Sequence, residues 1–113
     1  MGIHSQVVVA LKTCVYNQLS RETVGWLNKC DRVEAVPGEL GGISFRWSFT
    51  KWGYCKSSTL LYEELDAIDT EDYLVLVACH DYPFSEEGDV GCWDENPWNY
   101  YKHTSTTIEE SAI

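Results

Sequence analysis

The sequence predicts an α+β protein: one small domain over residues 1–113, with a mixed, mostly antiparallel sheet and two helices packed on one face. Three observations predict this class. A continuous apolar run lies near the N-terminus, a strictly alternating segment lies in the middle, and a helix-periodic segment follows it. A chain of 113 residues, 44% of them hydrophobic, is also long enough to bury a core. The expected order of elements is β-α-β-α-β-β.

The first strand and the first helix are predicted from "IHSQVVVALK" and "LSRETVGWLNKC". The run from Val7 to Leu11 is apolar at every position, which is typical of a central strand covered on both faces. Ser20 is a favourable N-cap residue, and Glu22 would lie in the first helical turn. A helix is therefore expected from about Arg21 to Lys29.

The remaining elements follow from three further patterns. The segment "ISFRWSFTK" alternates between apolar and polar residues and predicts a half-buried strand, and "KSSTLLYEELDAID" has the apolar spacing of an amphipathic helix. The segment "EDYLVLVACH" predicts another inner strand. The polar, β-prone "NYYKHTSTTIEE" predicts an edge strand, and such a strand leaves open a homodimer formed by edge-to-edge pairing.

Charge is distributed unevenly along the chain, whose formal net charge is −10. Residues 1–56 contain seven bases and four acids, whereas residues 57–113 contain fourteen acids and a single base, Lys102. From Glu63 to Glu95 there are twelve acids and neither Lys nor Arg. If these residues are neighbours in space, they create a strong negative field, which makes nucleic acid and anionic membranes poor partners.

The candidate site is an acidic surface with aromatic residues near it. Carboxylates on alternate residues of a strand are about 6.5 to 7 Å apart, close to the spacing of phosphates along a nucleic-acid strand. Two tryptophans beside the acids are expected to act as apolar anchors, the alternative being that they belong to the core. The predicted partner-binding residues are Glu63, Glu64, Asp66, Glu86, Glu87, Asp89, Trp93, Asp94, Glu95 and Trp98.

Metal binding and catalysis have weaker support. The five cysteines include no closely spaced pair that would predict zinc, so reduced thiols are expected, and no glycine in the acidic loop fits the register of an EF-hand. Cys79 and His80 are adjacent, but successive residues of a strand point to opposite faces, which argues against a catalytic dyad. No cofactor, metal site or catalytic residue is predicted. A small enzyme or metal-binding protein that uses Cys and His or the loop carboxylates remains the alternative.

Localisation is predicted from two absences in the sequence. No stretch reaches the roughly 18 to 20 consecutive apolar residues of a membrane span, and the first residues do not have the pattern of a secretory signal. A cytoplasmic protein is expected.

The segments "IHSQVVVALKTCVYNQL", "FRWSFTKW" and "DYLVLVACHDY", with an acidic helix before the last, together resemble the small acidic accessory proteins of tailed bacteriophages. The resemblance implies expression in the cytoplasm of an infected bacterium and action on a host macromolecule. Many such proteins inhibit restriction, CRISPR or other defence systems. The hypothesis is therefore a protein that binds a basic host protein, in the defence or nucleic-acid-processing machinery, and inhibits or modulates it, with nucleic-acid mimicry as the most specific mechanism.

Overall fold

A computed structural model describes residues 5–50, 56–79, 89–104 and 107–110. Within these ranges the helices are α1 (Thr13–Tyr16), α2 (Arg21–Leu27) and α3 (Lys56–Leu65), and a single 3-10 turn spans Thr70–Asp72. The strands are β1 (Ser5–Lys12), β2 (Arg32–Val36), β3 (Gly42–Thr50), β4 (Tyr73–Cys79), β5 (Val90–Gly91), β6 (Tyr100–Thr104) and β7 (Thr107–Glu110). The predicted α+β class is confirmed.

Five strands form the main sheet, in the order β2-β3-β1-β4-β5. All described pairings are antiparallel, so the expected mixed sheet is corrected to an antiparallel one. β1 lies at the centre, with Val9 paired to Phe45 on one side and to Val75 on the other. β2 and β5 were not predicted, because β2 is short and largely exposed and β5 has two residues.

The helices cover one face of this sheet and form the first core. Val7, Val9 and Leu11 of β1 are fully buried there with residues of all three helices. Trp26 of α2 stacks on Trp47 of β3, with 5.2 Å between ring centroids. The predicted start of α2 is confirmed, because the Ser20 hydroxyl accepts a hydrogen bond from the Thr23 backbone N–H at 3.3 Å.

The opposite face of the sheet carries a second core. Val8 and Ala10 of β1 pack there against Trp93, Trp98 and the β6–β7 hairpin. The structure therefore places two strands where one C-terminal edge strand was predicted. Because both faces of β1 are buried, every position from 7 to 11 is apolar, and the expected central strand is confirmed.

Candidate functional site

One end of the main sheet, where β1 ends and β4 begins, carries a group of carboxylates, which we call the acidic end. Its residues come from the turn after α3, from the 3-10 turn, and from the loop after β5. The members are Asp66, Asp69, Glu71, Asp72, Asp94 and Glu95.

Backbone hydrogen bonds bring these segments together. The Cys92 N–H donates to the Thr70 carbonyl at 2.7 Å, and the Trp93 N–H donates to the Tyr73 carbonyl at 3.1 Å. These two bonds fix the loop after β5 beside the 3-10 turn. The carboxylate of Asp69 caps that turn by accepting from the Glu71 N–H at 3.0 Å. Acids more than twenty positions apart in the chain are therefore neighbours.

Gly91 makes this close approach sterically feasible. Its φ of +80° lies in the left-handed region that L side chains rarely adopt, and a Cβ at this position would collide with the Tyr73 carbonyl. Only glycine fits a strand that turns this tightly against β4. The residue therefore fixes the path of the loop that carries Asp94 and Glu95.

Among the residues that the structure describes, Lys12 is the base that lies at the acidic end. Its Nζ is 2.8 Å from the Asp72 Oδ1, and both side chains are 31% exposed. The hydrogen bond to Asp72 raises the pKa of Lys12 above its ordinary value, and the negative charge of Glu95 adds to this effect. Lys12 thus stays protonated and is ion-paired with one of the surrounding acids.

The pKa of Tyr73 also responds to the charge of the acidic end. Burial raises the pKa of its hydroxyl, and the charge of Asp66 and, to a smaller degree, that of Asp69 raise it further. Both carboxylates therefore lie close enough to the start of β4 to act on this group.

A cleft of about 310 Å³ opens at the acidic end. Its lining residues are Lys12, Glu71, Cys92, Trp93, Asp94 and Glu95. Glu71, Asp94 and Glu95 are exposed, so their carboxylates can accept hydrogen bonds from an approaching molecule. Ion pairing and hydrogen bonding to a cationic group are the chemistry that this arrangement supports.

The structure separates the predicted site residues into different environments. Asp66, Asp94 and Glu95 lie at the acidic end, and Glu63 is exposed on α3 one turn before Asp66. Sequence reasoning did not single out Asp69, Glu71 and Asp72, although all three belong to the base-free run. The usable signal was their position directly before an inner strand, which places them at an end of the sheet.

The carboxylates of Glu64 and Asp89 accept hydrogen bonds from other parts of the chain. The Glu64 carboxylate accepts hydrogen bonds from the Ser20 N–H at 2.6 Å, from the Ser20 hydroxyl at 3.2 Å and from the Thr23 hydroxyl, and thus joins α3 to the start of α2. The Asp89 Oδ1 accepts from the Val77 N–H at 2.8 Å and so continues the hydrogen bonding along β4. Both carboxylates therefore have structural roles that the sequence did not indicate.

Trp93 and Trp98 correct the prediction of exposed anchors. They are 3% and 5% exposed and belong to the second core. Their rings pack edge to face at 6.2 Å, and Trp98 also stacks on Tyr100 at 5.7 Å. These large apolar rings are more stable packed against the sheet than exposed to water. They leave almost no apolar surface for a partner, although Trp93 contributes to the lining of the cleft.

Other predicted chemistry falls partly outside the described residues. Glu86, Glu87 and His80 lie outside them, and the side chain of Cys79 is not among those described. Within the described part of the chain, no group of three or more His, Cys, Asp and Glu residues has an arrangement that could hold a metal ion. Cys14, Cys30 and Cys92 carry free thiols.

Within residues 5–50, 56–79, 89–104 and 107–110, no helix is long and apolar enough to cross a membrane. Comparison with protein-family models, curated proteins and solved structures finds no match to this chain.

Proposed function

We propose that this chain binds a basic host protein through its acidic end and thereby inhibits or modulates that protein. The observation that carries the proposal is that two separate stretches of the chain, residues 66–72 and 94–95, place six carboxylates at one end of the sheet, where the charge of Lys12 is paired with Asp72. The resemblance to acidic accessory proteins of bacteriophages sets the proposed place of action in the cytoplasm of an infected bacterium. A protein of the defence or nucleic-acid-processing machinery is the class of partner that we infer.

Electrostatics support this kind of partner. The chain has a net charge of −10, and like charges held beside a low-dielectric protein surface produce a field that extends into solvent. The cleft is lined by three carboxylates and by Lys12, whose charge is paired with Asp72, so its overall sign is negative. A negative cleft concentrates the field and speeds the approach of a positively charged surface. The same field repels nucleic acid and anionic lipid.

Nucleic-acid mimicry is the mechanism that we infer for inhibition. A protein that binds nucleic acid presents Lys and Arg side chains, whose charged hydrogen bonds are accepted by carboxylates as well as by phosphates. Glu71, Asp94 and Glu95 are exposed on a turn and a loop whose backbones are hydrogen-bonded to each other and to β4, so binding needs to order little additional backbone. The chain would then occupy the site that the partner uses for DNA or RNA.

The proposal is tested by affinity capture from a bacterial lysate with two variants of equal charge. The acidic-end variant combines Asp94→Asn with Glu95→Gln, and the control variant combines Glu22→Gln with Glu39→Gln. All four side chains are exposed, and each variant removes two negative charges. Differences in captured protein therefore report the position of the charges and not their number.

We expect the unmodified chain and the control variant to enrich the same partner, and the acidic-end variant to lose most of it. Added DNA or RNA should release the partner if the acidic end imitates a nucleic acid. Equal capture of that partner by the acidic-end variant at low salt would show that these carboxylates are only a solvated surface, and the proposal would then be rejected.

A further inference from the structure

The outer edge of β2 is an open strand edge in the described sheet, and it lies far from the acidic end. β2 has β3 as its neighbour on one side and stands at the edge of the order β2-β3-β1-β4-β5. Four strand spacings, about 19 Å, separate it from β5. Among the described residues, the large hydrophobic side chains that are exposed are Val33, in β2, and Leu40, in the following turn.

Backbone geometry identifies the groups that face the open edge. The Arg46 carbonyl accepts a hydrogen bond from the Asp31 N–H at 3.0 Å, so Arg46 directs its backbone groups toward β2. Its partner in the register is Arg32, and Glu34 pairs with Ser44 two positions further along. Because the two directions alternate along a strand, Val33 directs its N–H and C=O away from β3.

We propose that two copies of this chain associate through antiparallel pairing of their β2 strands, with Val33 opposite Val33 on the two-fold axis. In this register each Arg32 lies opposite the Glu34 of the second copy, on the same face of the joined sheet. The exposed Val33 side chains meet at the centre. A shift of one residue that places Glu34 on the axis would oppose two glutamates, which is unfavourable.

Charge around β2 permits this approach despite the net charge of −10. Residues 29–46 contain three bases, Lys29, Arg32 and Arg46, and three acids, Asp31, Glu34 and Glu39, so this segment is neutral overall. Arg32 and Glu34 already form an ion pair at 2.9 Å within one copy, and the second copy completes a network of four charges. Pairing here joins the copies at their neutral edges and leaves both acidic ends at the outside.

Sedimentation equilibrium over a range of protein concentrations tests the proposal. We expect the mass to approach twice the chain mass of 12.9 kDa. Val33→Pro should keep the mass at that of one chain with an unchanged circular dichroism spectrum, because proline removes an N–H that makes no bond to β3. A chain that stays monomeric at every concentration, or a dimer that survives Val33→Pro, would overturn the proposal.

A charge exchange tests the register without relying on proline. Glu34→Arg places like charges opposite each other twice and should raise the dimer dissociation constant about tenfold. Adding Arg32→Glu restores opposite charges and should return the constant to the value of the unmodified chain. If the double variant stays as weak as the single one, Arg32 and Glu34 are not opposed across the two-fold axis, and the proposed interface is wrong.

Discussion

Glu63 and Glu64 are adjacent acids on α3 that have different surroundings. Glu63 is exposed, whereas the Glu64 carboxylate accepts hydrogen bonds from Ser20 and Thr23 at the start of α2. A carboxylate at that position satisfies the Ser20 N–H, one of the donors that a helix leaves without a partner at its N-terminus, and also accepts from the Thr23 hydroxyl. The negative charge in the sequence therefore serves the fold at one residue and the surface at the next.

Glu64→Ala should lower the free energy of unfolding by about 1 to 3 kcal/mol, because it removes the charged hydrogen bonds that join α3 to the start of α2. Glu63→Ala is the matched control and should change the free energy of unfolding by less than about 0.5 kcal/mol. Urea denaturation of both variants measures the difference. Equal values for the two would mean that the link between α2 and α3 contributes nothing to stability.

Glycine substitutions at two positions should have opposite effects. Gly91→Ala should destabilise the fold by about 1 to 3 kcal/mol, because its backbone lies at positive φ against the Tyr73 carbonyl. Gly25 is inside α2 with no atom near its would-be Cβ, so Gly25→Ala should stabilise by about 0.5 to 1 kcal/mol. Thermal unfolding followed by circular dichroism checks both signs, and a neutral Gly91→Ala would contradict the tight approach of β5 to β4.

At the scale of elements, the loop after β5 contributes Trp93 and Trp98 to the second core, which gives these residues a structural role. Trp98 is 5% exposed and contacts both Trp93 and Tyr100, so it joins the loop after β5 to the C-terminal hairpin. An exposed interface residue in the same loop would contribute little to folding. Stability measurements therefore distinguish a core role from an anchoring role.

Trp98→Ala should reduce the free energy of unfolding by about 3 to 5 kcal/mol, since it removes a large buried side chain and leaves a cavity. Trp26→Ala is a suitable comparison, because Trp26 is only half-buried on the other face of the sheet and should cost less. If Trp98→Ala unfolds at the same denaturant concentration as the unmodified chain, the ring is not part of a core.

The elements that the sequence predicted well are those with an uninterrupted periodic pattern. β1, β3 and α3 each bury one or two continuous stripes, and burial of a stripe is what periodicity records. β2 was not predicted, because most of its residues are exposed and burial therefore imposes no alternation of apolar and polar residues on them. β5 was not predicted because its two residues are held against β4 by strand pairing with Leu74 and Val75 and by the adjacent Asp89–Val77 hydrogen bond, and not by local propensity.

At the scale of the whole molecule, three groups link stability to alkaline pH. Burial raises the pKa of the Cys30 thiol above 9.0 and that of Tyr73 above 10.0, and the hydrogen bond to Asp72 raises that of Lys12 above 10.5. In each case the folded chain holds the proton more tightly than the unfolded chain. This stabilisation is fully present below the ordinary pKa values and is lost as pH rises through the raised ones.

The free energy of unfolding should therefore fall as pH rises above about 9, under reducing conditions. Cys30→Ser removes the group with the lowest ordinary pKa of the three. The free energy of unfolding of this variant should therefore begin to fall at a higher pH than that of the unmodified chain. Urea denaturation at a series of pH values follows both chains. A flat profile up to about pH 11 would contradict the upward direction of these shifts.

The charge pattern of the sequence predicted that the candidate surface is negative, but it did not identify which acids form that surface. The base-free run from Glu63 to Glu95 contains all six acids of the acidic end, yet it also contains Glu64 and Asp89, whose carboxylates lie elsewhere in the fold and join α3 to α2 and the segment before β5 to β4. Spatial convergence depends on the Cys92–Thr70 and Trp93–Tyr73 backbone bonds, which no local pattern encodes. Burial of Trp93 and Trp98 likewise depends on the covering of the second face of the sheet.

The association rate of the partner recovered by capture tests the central claim most directly. It is measured for the unmodified chain, the acidic-end variant (Asp94→Asn, Glu95→Gln) and the control variant (Glu22→Gln, Glu39→Gln), from about 0.05 to 0.5 M NaCl. At low salt the acidic-end variant should associate about tenfold more slowly than the control variant, and the difference should vanish at high salt as the charges are screened. If the two variants associate at the same rate at every salt concentration, the acidic end is not the surface that binds the partner.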